Sequence, residues 1–205
     1  MILAFDLYGT LFSTEIPGVP REVMAEWRRK QLEFTWRLTL MGEWRDFDEV
    51  TRLALEYVRE EFKVKLDDRV LEEWKRLKPF PDIDALREIR EEKWVLTNGV
   101  ESTAREILKN ANALDLIKGV FSAERVKAYK PSERVYKAFL QEVGEAVLIS
   151  SNPFDVAGAK RAGMKAIYVR RAERPHSDFL GFTPDAVVES LWELEGALRG
   201  LGVRG

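Results

Sequence analysis

The feature that most constrains this chain is a set of six short apolar runs, separated by longer segments with helical periodicity. Each run is almost continuously apolar, which is typical of strands buried on both faces of a parallel sheet. Strands that alternate with helices predict an α/β fold with a doubly wound parallel sheet. The predicted strands are Ile2–Phe5, Trp94–Leu96, Gly119–Phe121, Ala146–Ile149, Ala166–Val169 and Ala186–Val188.

The segments between the strands carry helix boundary signals. Thr103–Glu106 has the Thr-x-x-Glu spacing of a capping box, which predicts a helix start. Another helix begins near Ser132, because the residues that follow it place apolar side chains on one face. Asn152 followed by Pro153 predicts an N-cap with proline at the first helical position, and Gly163 predicts the end of that helix.

Residues 20–78 break the alternation, because they show helical periodicity and no convincing strand. Apolar residues three or four positions apart recur through Met24–Met41 and Leu53–Phe62, which predicts two helices. Ligands of such sheets bind at the carboxyl ends of the strands, where this insertion starts, so we expect it to act as a lid. The alternatives are a subdomain that only packs on the sheet and, for the first apolar stripe, a homodimer face. The predicted domains are a core of residues 1–14 and 80–205 and a helical cap of residues 15–79.

Composition excludes several classes of protein. The 33 Lys and Arg against 35 Asp and Glu give a net charge of −2, whereas a nucleic-acid binder carries a strong basic excess. The absence of cysteine excludes a thiolate nucleophile, and the lone His176, in a loop-like segment, excludes a multi-histidine metal site. No stretch approaches the ~18 apolar residues of a membrane span, and the apolar start is too short for a signal peptide. We therefore expect a cytoplasmic protein without a nucleic-acid or membrane partner; its high charge and few amides are typical of thermophilic proteins.

Polar side chains follow the predicted strands at several points. Asp6 follows the first strand, and Thr97-Asn98-Gly99 follows the second. Lys127 and Lys130 precede a predicted helix, and Ser150-Ser151-Asn152-Pro153-Phe154-Asp155 follows the fourth strand. Because parallel strands end at one edge of the sheet, we expect two carboxylates, a lysine and several hydrogen-bonding groups to converge there. Lys130, beside a proline at the helix entry, is the better candidate; Lys127 is typical of a solvated surface.

These four segments, in this order, resemble the four motifs of the haloacid dehalogenase superfamily, and the resemblance covers essentially the whole chain. It implies a Rossmann-like core with a mobile cap, and it implies that Asp6 is a covalent nucleophile. Most members of the superfamily are Mg²⁺-dependent phosphatases, which typically carry a second Asp two positions after the nucleophile as general acid. Tyr8 stands at that position here.

Tyr8 is typical of the hydrolytic L-2-haloacid dehalogenase branch, whose first motif usually reads Phe-Asp-x-Tyr-Gly-Thr-Leu-Phe. The motif from Ser150 and the motif from Lys130, with a tyrosine six residues after the lysine, resemble the same branch. In the cap, Trp27-Arg28 resembles the segment whose arginine contacts the departing halide. We therefore expect dehalogenation of short (S)-2-haloacids, which are small anions, without a cofactor, because a halide departs without needing a proton.

The resemblance implies how the substrate would be held and attacked. Arg28 would hold the halogen. Ser151, or backbone amides near Leu7 and Asn98, would hold the substrate carboxylate. Asp6 would attack C2 of the substrate to give an ester and free halide, which splits one difficult step into two.

It also implies how the ester would be hydrolysed. Lys130, fixed by Ser150, would keep Asp6 ionised by placing a cation beside it. Asp155 with Asn152 would orient or deprotonate the water that attacks the ester carbonyl. The remaining expected site residues are Thr10 as a catalytic residue, Tyr8 and Thr97 as binding residues, and Leu32, Phe47 and Phe154 as apolar walls.

Some residues favour a Mg²⁺-dependent phosphatase of small phosphate esters as the alternative. Arg29 stands where the dehalogenase branch usually has Gln, Thr97 where it has Ser, and Phe154 where it has Trp. A second cation in the cap suits a phosphate better than a small halide. Mg²⁺ requires oxygen ligands, and the candidates are Asp6, the Tyr8 carbonyl and Asp155.

A third interpretation is a non-catalytic module that keeps the fold for binding. The complete set of polar motif residues argues against it. The sequence leaves open whether Arg28 or Arg29 faces the site, and it predicts that Tyr136, on the apolar face of its helix, is a core residue.

Overall fold

The computed structural model describes residues 1–202 and contains one six-stranded parallel sheet. The strands are β1 (Ile2–Phe5), β2 (Glu92–Thr97), β3 (Gly119–Ser122), β4 (Ala146–Ser150), β5 (Lys165–Val169) and β6 (Ala186–Val188). Their order in the sheet is β3-β2-β1-β4-β5-β6, and every neighbouring pair is parallel. All six predicted strands are confirmed, and the fold is the expected doubly wound α/β class.

Seven α-helices lie between and beside these strands within the described residues. They are α1 (Arg21–Met41), α2 (Phe47–Phe62), α3 (Arg69–Trp74), α4 (Glu101–Asn110), α5 (Glu133–Val143), α6 (Pro153–Arg161) and α7 (Leu194–Gly200). The predicted starts of α5, after Ser132, and of α6, at Pro153, are confirmed. The prediction of a capping box at Thr103–Glu106 is wrong. Helix α4 begins two residues earlier at Glu101, and the Thr103 hydroxyl donates to Asp48 Oδ2 at 2.7 Å instead of capping the helix.

The central strands of the sheet are buried because they are apolar on both faces. All five residues of β4 are buried, and so are Leu3, Ala4 and Phe5 of β1, which pairs with β4 on one side and β2 on the other. Gly119 shows how tightly β2 and β3 pack. A Cβ atom at this position would lie 2.4 Å from the Trp94 ring, so only glycine fits.

Helices α1 and α2, which lie between β1 and β2 along the chain, pack on each other. The Trp27 indole donates to the Thr51 carbonyl at 2.9 Å, and the Gln31 amide donates to the Thr51 hydroxyl at the same distance. These bonds satisfy polar groups that would be costly to bury unpaired. The apolar stripe of α1 is buried at Met24, Trp27 and Leu38, whereas its last member, Met41, is 64% exposed. The short helix α3 carried no clear sequence signal.

The helical segment touches the core around Tyr129 and Lys130. The Trp36 indole of α1 donates to the Lys130 carbonyl at 3.2 Å. The Tyr129 backbone N–H donates to the Thr39 hydroxyl at 3.0 Å, and the Tyr129 hydroxyl donates to the Arg45 carbonyl at 2.6 Å. The loop that carries Lys130 is therefore held from the helical side as well as by the sheet. Within residues 1–202, none of the helices combines the length and apolarity that a membrane crossing demands.

Candidate active site

The polar residues that follow the strands converge at the carboxyl edge of the sheet, as predicted. Asp6 follows β1, the central strand of this region, while Asn98 follows β2 and Asp155 lies in the first turn of α6 after β4. The loop between β3 and α5 supplies Lys130. These side chains are buried, and the contacts between them define the candidate site.

Lys130 lies between two carboxylates. Its ammonium is 2.9 Å from Asp6 Oδ1 and 2.9 Å from Asp155 Oδ2. Burial alone would lower the pKa of Lys130, but the attraction of Asp155 and Asp6 outweighs it and raises that pKa. The lysine is therefore held as a cation beside the expected nucleophile.

The second oxygen of Asp6 accepts two further hydrogen bonds. The Thr10 hydroxyl and the Asn152 side-chain amide each donate to Asp6 Oδ2 at 2.7 Å. The same amide nitrogen lies 3.0 Å from the Tyr8 carbonyl. Asn152 occupies the N-cap position of α6 as predicted, but its side chain makes no capping bond and serves Asp6 instead.

Thr10 is itself held by the loop after β4 and by an ion pair that is largely buried. The Ser151 backbone N–H donates to the Thr10 hydroxyl at 2.9 Å, and the Ser151 hydroxyl donates to the Gly9 carbonyl. The Arg171 guanidinium donates to the Thr10 carbonyl at 2.9 Å and contacts both Asp82 oxygens at 2.8 Å. Sequence reasoning missed the Arg171–Asp82 pair, because neither residue belongs to one of the four motifs.

Asp155 has a second partner that sequence reasoning assigned only to the core. Tyr136 is fully buried, as predicted, but its hydroxyl also donates to Asp155 Oδ1 at 2.7 Å. Burial, with the nearby negative charge of Asp6, raises the pKa of Asp155 despite the opposing effect of Lys130 and Tyr136. The tyrosine six residues after Lys130 was the signal that could have found this contact.

One expected contact is absent, and two hydroxyls expected to bind substrate are bonded within the protein. The Ser150 hydroxyl does not fix Lys130. It accepts from the Asn152 backbone N–H at 3.1 Å, while the Lys130 backbone N–H donates to Asn98 Oδ1 at 2.9 Å. Thr97 is fully buried and its hydroxyl accepts from the Gly99 N–H, which helps to shape the turn after β2; its role in binding stays a prediction. The Ser151 hydroxyl, one of two alternatives for the substrate carboxylate, donates to the Gly9 carbonyl.

An aromatic wall borders the site. Tyr8 is stacked between Phe47 and Trp74, with ring centroids 5.3 Å apart in both pairs. Burial raises the pKa of the Tyr8 hydroxyl, so it is a weak proton donor. The Arg28 guanidinium carbon lies 5.8 Å from the centroid of the Tyr8 ring, within range of a cation–π contact. Phe47 was expected here, whereas Trp74, on the unpredicted helix α3, was not.

The two cap arginines have different surroundings. Arg28 is partly buried, and burial lowers its pKa against the opposing attraction of Asp6, although a guanidinium stays charged in any case. Arg29 is exposed and forms ion pairs with Glu26 and Glu33. The structure therefore places Arg28, not Arg29, against the Tyr8 wall.

The remaining expected residues lie at the rim or outside the site. Leu32 is half-buried and lines, with Arg28, a cleft of about 830 Å³. Phe154 packs edge-on against Trp36 at 5.6 Å, at the boundary between α1 and the core. Lys127, which lies over the Trp44 ring, and the exposed His176 take no part in the contacts around Asp6.

The oxygens expected to hold Mg²⁺ already accept from protein donors. Protein donors bond to both oxygens of Asp6, both oxygens of Asp155 and the Tyr8 carbonyl. The Lys130 ammonium also lies where a cation shared by the two carboxylates would sit. Residues 1–202 contain no group of three or more His, Cys, Asp or Glu side chains that could hold a metal. The arrangement does not fit a magnesium site.

The fold and the four strand-end motifs together agree with what comparison with known proteins shows. A family model of haloacid dehalogenase-like hydrolases matches residues 1–163, and the chain belongs to this family. The chain is 35% identical to haloacetate dehalogenase H-2 of Moraxella sp. (strain B), over 91% of its own length and 92% of that protein's. It is 34% identical to the (S)-2-haloacid dehalogenase of Pseudomonas sp. (strain YL), over 92% and 90% of the two lengths.

A solved structure extends this likeness to the backbone. It is that of L-2-haloacid dehalogenase from Xanthobacter autotrophicus with chloropropionic acid covalently bound. The two folds superimpose with a TM-score of 0.85 at 29% sequence identity, and the match covers 98% of each chain. The resemblance noted from the motifs is thereby confirmed at the level of family, fold and enzyme class.

Proposed function

We propose that this protein is a hydrolytic dehalogenase of short (S)-2-haloacids, with Asp6 as covalent nucleophile. The observation that carries the proposal is Tyr8. Its ring is packed between Phe47 and Trp74, and its buried hydroxyl has a raised pKa, so no acid stands two residues after the nucleophile. A leaving group must therefore depart without being protonated, which suits a halide and not an alkoxide.

In the first step, a carboxylate oxygen of Asp6 attacks C2 of the haloacid. The bond from oxygen to C2 forms while the carbon–halogen bond breaks, and its electron pair leaves on the halide. Lys130, Thr10 and Asn152 hold the Asp6 carboxylate in place, which limits the reorganisation needed for attack. Arg28, over the Tyr8 ring, supplies the positive charge that the departing halide requires.

Apolar side chains and backbone amides complete the proposed substrate site. Leu32, Phe47 and Phe154 would wall the halogen and alkyl group. Because the Ser151 hydroxyl is bonded to Gly9, we assign the substrate carboxylate to backbone amides after β1 and β2 rather than to that hydroxyl. The proposed reaction requires no metal or organic cofactor.

In the second step, water attacks the ester carbonyl carbon of Asp6. Asp155 accepts the proton of that water and must therefore be ionised, which Lys130 and Tyr136 favour by donating to its two oxygens. The bond between the ester carbonyl carbon and the substrate oxygen then breaks, and the proton taken up by Asp155 passes to the departing alkoxide oxygen, which releases the 2-hydroxyacid. The remaining water proton leaves the Asp6 carboxyl group to solvent, so both carboxylates are regenerated. The product hydroxyl oxygen thus comes from Asp6, and the water oxygen stays on the enzyme.

We also propose that residues 15–79 form a cap domain over a core of residues 1–14 and 80–205. Its support is that α1, α2 and α3 all lie in this stretch, and that Trp36 and Thr39 of α1 contact the loop of Lys130. The homodimer suggested by the α1 stripe stays a prediction, which light scattering can check.

One assay separates the candidate activities. Halide release from (S)-2-chloropropionate and phosphate release from p-nitrophenyl phosphate are measured with and without EDTA. We expect halide release that EDTA does not change and that Asp6→Asn reduces to background. Asp115→Asn, an exposed carboxylate change of the same kind, serves as control. Phosphate release abolished by EDTA, without halide, would contradict the proposal and favour the phosphatase.

The ester intermediate has its own test. A single turnover in H₂¹⁸O, with enzyme in excess over substrate, should place ¹⁸O in the Asp6 carboxylate and leave the product hydroxyl unlabelled. Label in the product after one turnover would mean direct attack of water on C2, and the covalent step would then be rejected even if halide is released.

A further inference from the structure

A large cleft opens beside the candidate site, and its charge is one-sided. It has a volume of about 830 Å³ and lies between the first half of α1, the segment from Ser13 to Val19, and a core loop. Arg28 lines it, so the cleft adjoins the Tyr8 wall. The charged residues among its described lining are five cations and one carboxylate: Arg21, Arg28, Arg29, Lys78, Arg174 and Glu15.

Most of these cations are uncompensated by the protein. Arg29 is neutralised by Glu26 and Glu33. Arg21, Lys78 and Arg174 form no ion pair within residues 1–202, and none is among the residues whose partners go undescribed. In a chain with a net charge of −2, most other surface arginines have a carboxylate beside them, so this cluster is unusual.

The size of the cleft also exceeds what a short haloacid requires. Its volume falls in the upper part of the ~300–1,000 Å³ typical of sites that enclose drug-sized ligands. Ile16, Met24 and Leu32 contribute apolar surface to the same cleft. A chain of methylene groups could therefore lie along it, with a negative group at the end among the cations.

We propose that this cleft is a second anion subsite, and that the preferred substrates are 2-haloacids with a distal carboxylate. This inference rests on the proposed function. The 2-halocarboxylate end would react at Asp6, and the distal carboxylate would be held by Lys78 and Arg174, with Arg21 nearby. The chemical class is that of 2-halodicarboxylic acids of intermediate length.

The experiment compares substrates that differ only in tail length and tail charge. Halide release is measured for 2-bromosuccinate, 2-bromoglutarate, 2-bromoadipate and 2-bromopimelate, and for 2-bromobutanoate and 2-bromohexanoate as uncharged-tail references. A subsite at a fixed position predicts that kcat/KM passes through a maximum at one diacid length. Simple electrostatic attraction of anions to the cleft predicts no such maximum, because it does not depend on where the tail ends.

The subsite is then removed by the double change Lys78→Gln and Arg174→Gln. We expect kcat/KM for the best diacid to fall about fivefold or more, since exposed cations each make modest contributions, while the monoacids change less than twofold. The control is Arg90→Gln with Lys118→Gln, which removes one arginine and one lysine that do not line the cleft. Thermal unfolding monitored by circular dichroism verifies that both double variants are folded.

A binding measurement keeps this inference separate from the proposed function. Glutarate, which carries no halogen, should bind the wild type in calorimetric titration and bind the Lys78/Arg174 variant at least fivefold more weakly. The subsite would be overturned if monoacids release halide but the diacids show no maximum of kcat/KM with length. It would also be overturned if glutarate binds the Lys78/Arg174 variant as tightly as the wild type. Absence of halide from every substrate would overturn the proposed function, and glutarate binding would then still decide whether the cleft holds dicarboxylates.

Discussion

The Tyr136 hydroxyl provides the most direct test of how the site controls Asp155. It donates to Asp155 Oδ1 at 2.7 Å from a fully buried position, and Lys130 holds the other oxygen. Both donors favour the ionised carboxyl group, against burial and the charge of Asp6, which favour the protonated one. Replacing Tyr136 by Phe removes one donor and keeps the ring that fills the core.

The size of the effect follows from the contact that is lost. A hydrogen bond to a charged group is worth about 1.5–3 kcal/mol. One pKa unit corresponds to about 1.36 kcal/mol, so Tyr136→Phe should raise the pKa of Asp155 by about 1–2 units. Asp155 must be ionised to accept a proton from water. The acidic limb of the pH–kcat profile should therefore move to higher pH by that amount.

The assay is halide release from (S)-2-chloropropionate in the steady state between pH 4 and 9. Tyr168→Phe is the matched control, because Tyr168 is buried on β5 and its hydroxyl donates only to the Ala172 carbonyl. The control should leave the acidic limb in place. If Tyr136→Phe leaves the limb unmoved, or moves it to lower pH, the assignment of Asp155 as the base supported by Tyr136 is wrong.

Three further changes test the contacts around the site by urea denaturation. Lys130→Met should lower the free energy of unfolding at pH 7 by about 3–5 kcal/mol, because two buried carboxylates lose their cation. Because the pKa of Lys130 is raised, this deficit should persist up to the ordinary Lys pKa of ~10.4 and shrink as the pH rises through the raised value; it should also shrink at acid pH, where Asp155 is protonated. A deficit independent of pH would count against the ion pairs. Asp82→Asn should lower the free energy of unfolding by about 3 kcal/mol at pH 7. Burial opposes ionisation of Asp82, but Arg171 and the Leu191 N–H hold its pKa below the usual range. The ionised Asp82 therefore stabilises the protein above pH ~4, and the wild type and the variant should converge in stability below that pH. Gly99→Ala places a Cβ atom 2.7 Å from the Tyr8 hydroxyl and should lower the free energy of unfolding by about 1–3 kcal/mol. Gly196→Ala is the control, because this position in α7 has open space around it and the change should not destabilise the protein. Equal effects of the two changes would contradict the packing argument.

The sheet was predictable because each strand is apolar on both faces. That pattern depends on the local sequence alone, and Ile2–Phe5 and Ala186–Val188 match their predicted bounds. Helix starts were harder to predict where tertiary contacts decide them. Thr103 has the spacing of a cap, yet its hydroxyl bonds to Asp48 of α2, a partner 55 residues away in the chain. Local spacing carries no information about such a partner.

The site was predictable in its members and less so in its contacts. Asp6, Lys130 and Asp155 could be named from their positions after strands, since topology brings those ends together. The partner of each hydroxyl could not be predicted. Ser150 and Ser151 have several acceptors and donors within reach, and only packing selects among them. Trp74 and Arg171 could not be predicted either, because both reach the site from parts of the chain that carry no chemical motif.

The charge balance of the site explains why so many donors are gathered there. When ionised, Asp6 and Asp155 carry two negative charges. Lys130 bonds to both carboxylates, and Arg28 attracts Asp6 from its place over the Tyr8 ring. A buried carboxylate is also costly unless its oxygens accept hydrogen bonds, and neutral donors provide these here. Thr10, Asn152 and Tyr136 supply these, with two bonds to Asp6 and one to Asp155.

This set of contacts holds Asp6 without blocking its reactivity. A second cation bonded directly to Asp6 in place of these neutral donors would stabilise the carboxylate more strongly and so weaken it as a nucleophile. Neutral donors stabilise less per bond and hold the carboxylate in one orientation. Asn152 illustrates the cost, because its amide serves Asp6 and the Tyr8 carbonyl and leaves α6 without a side-chain cap, which is worth about 1 kcal/mol. A helix that gives up its cap at the nucleophile is the pattern expected where local stability yields to chemistry.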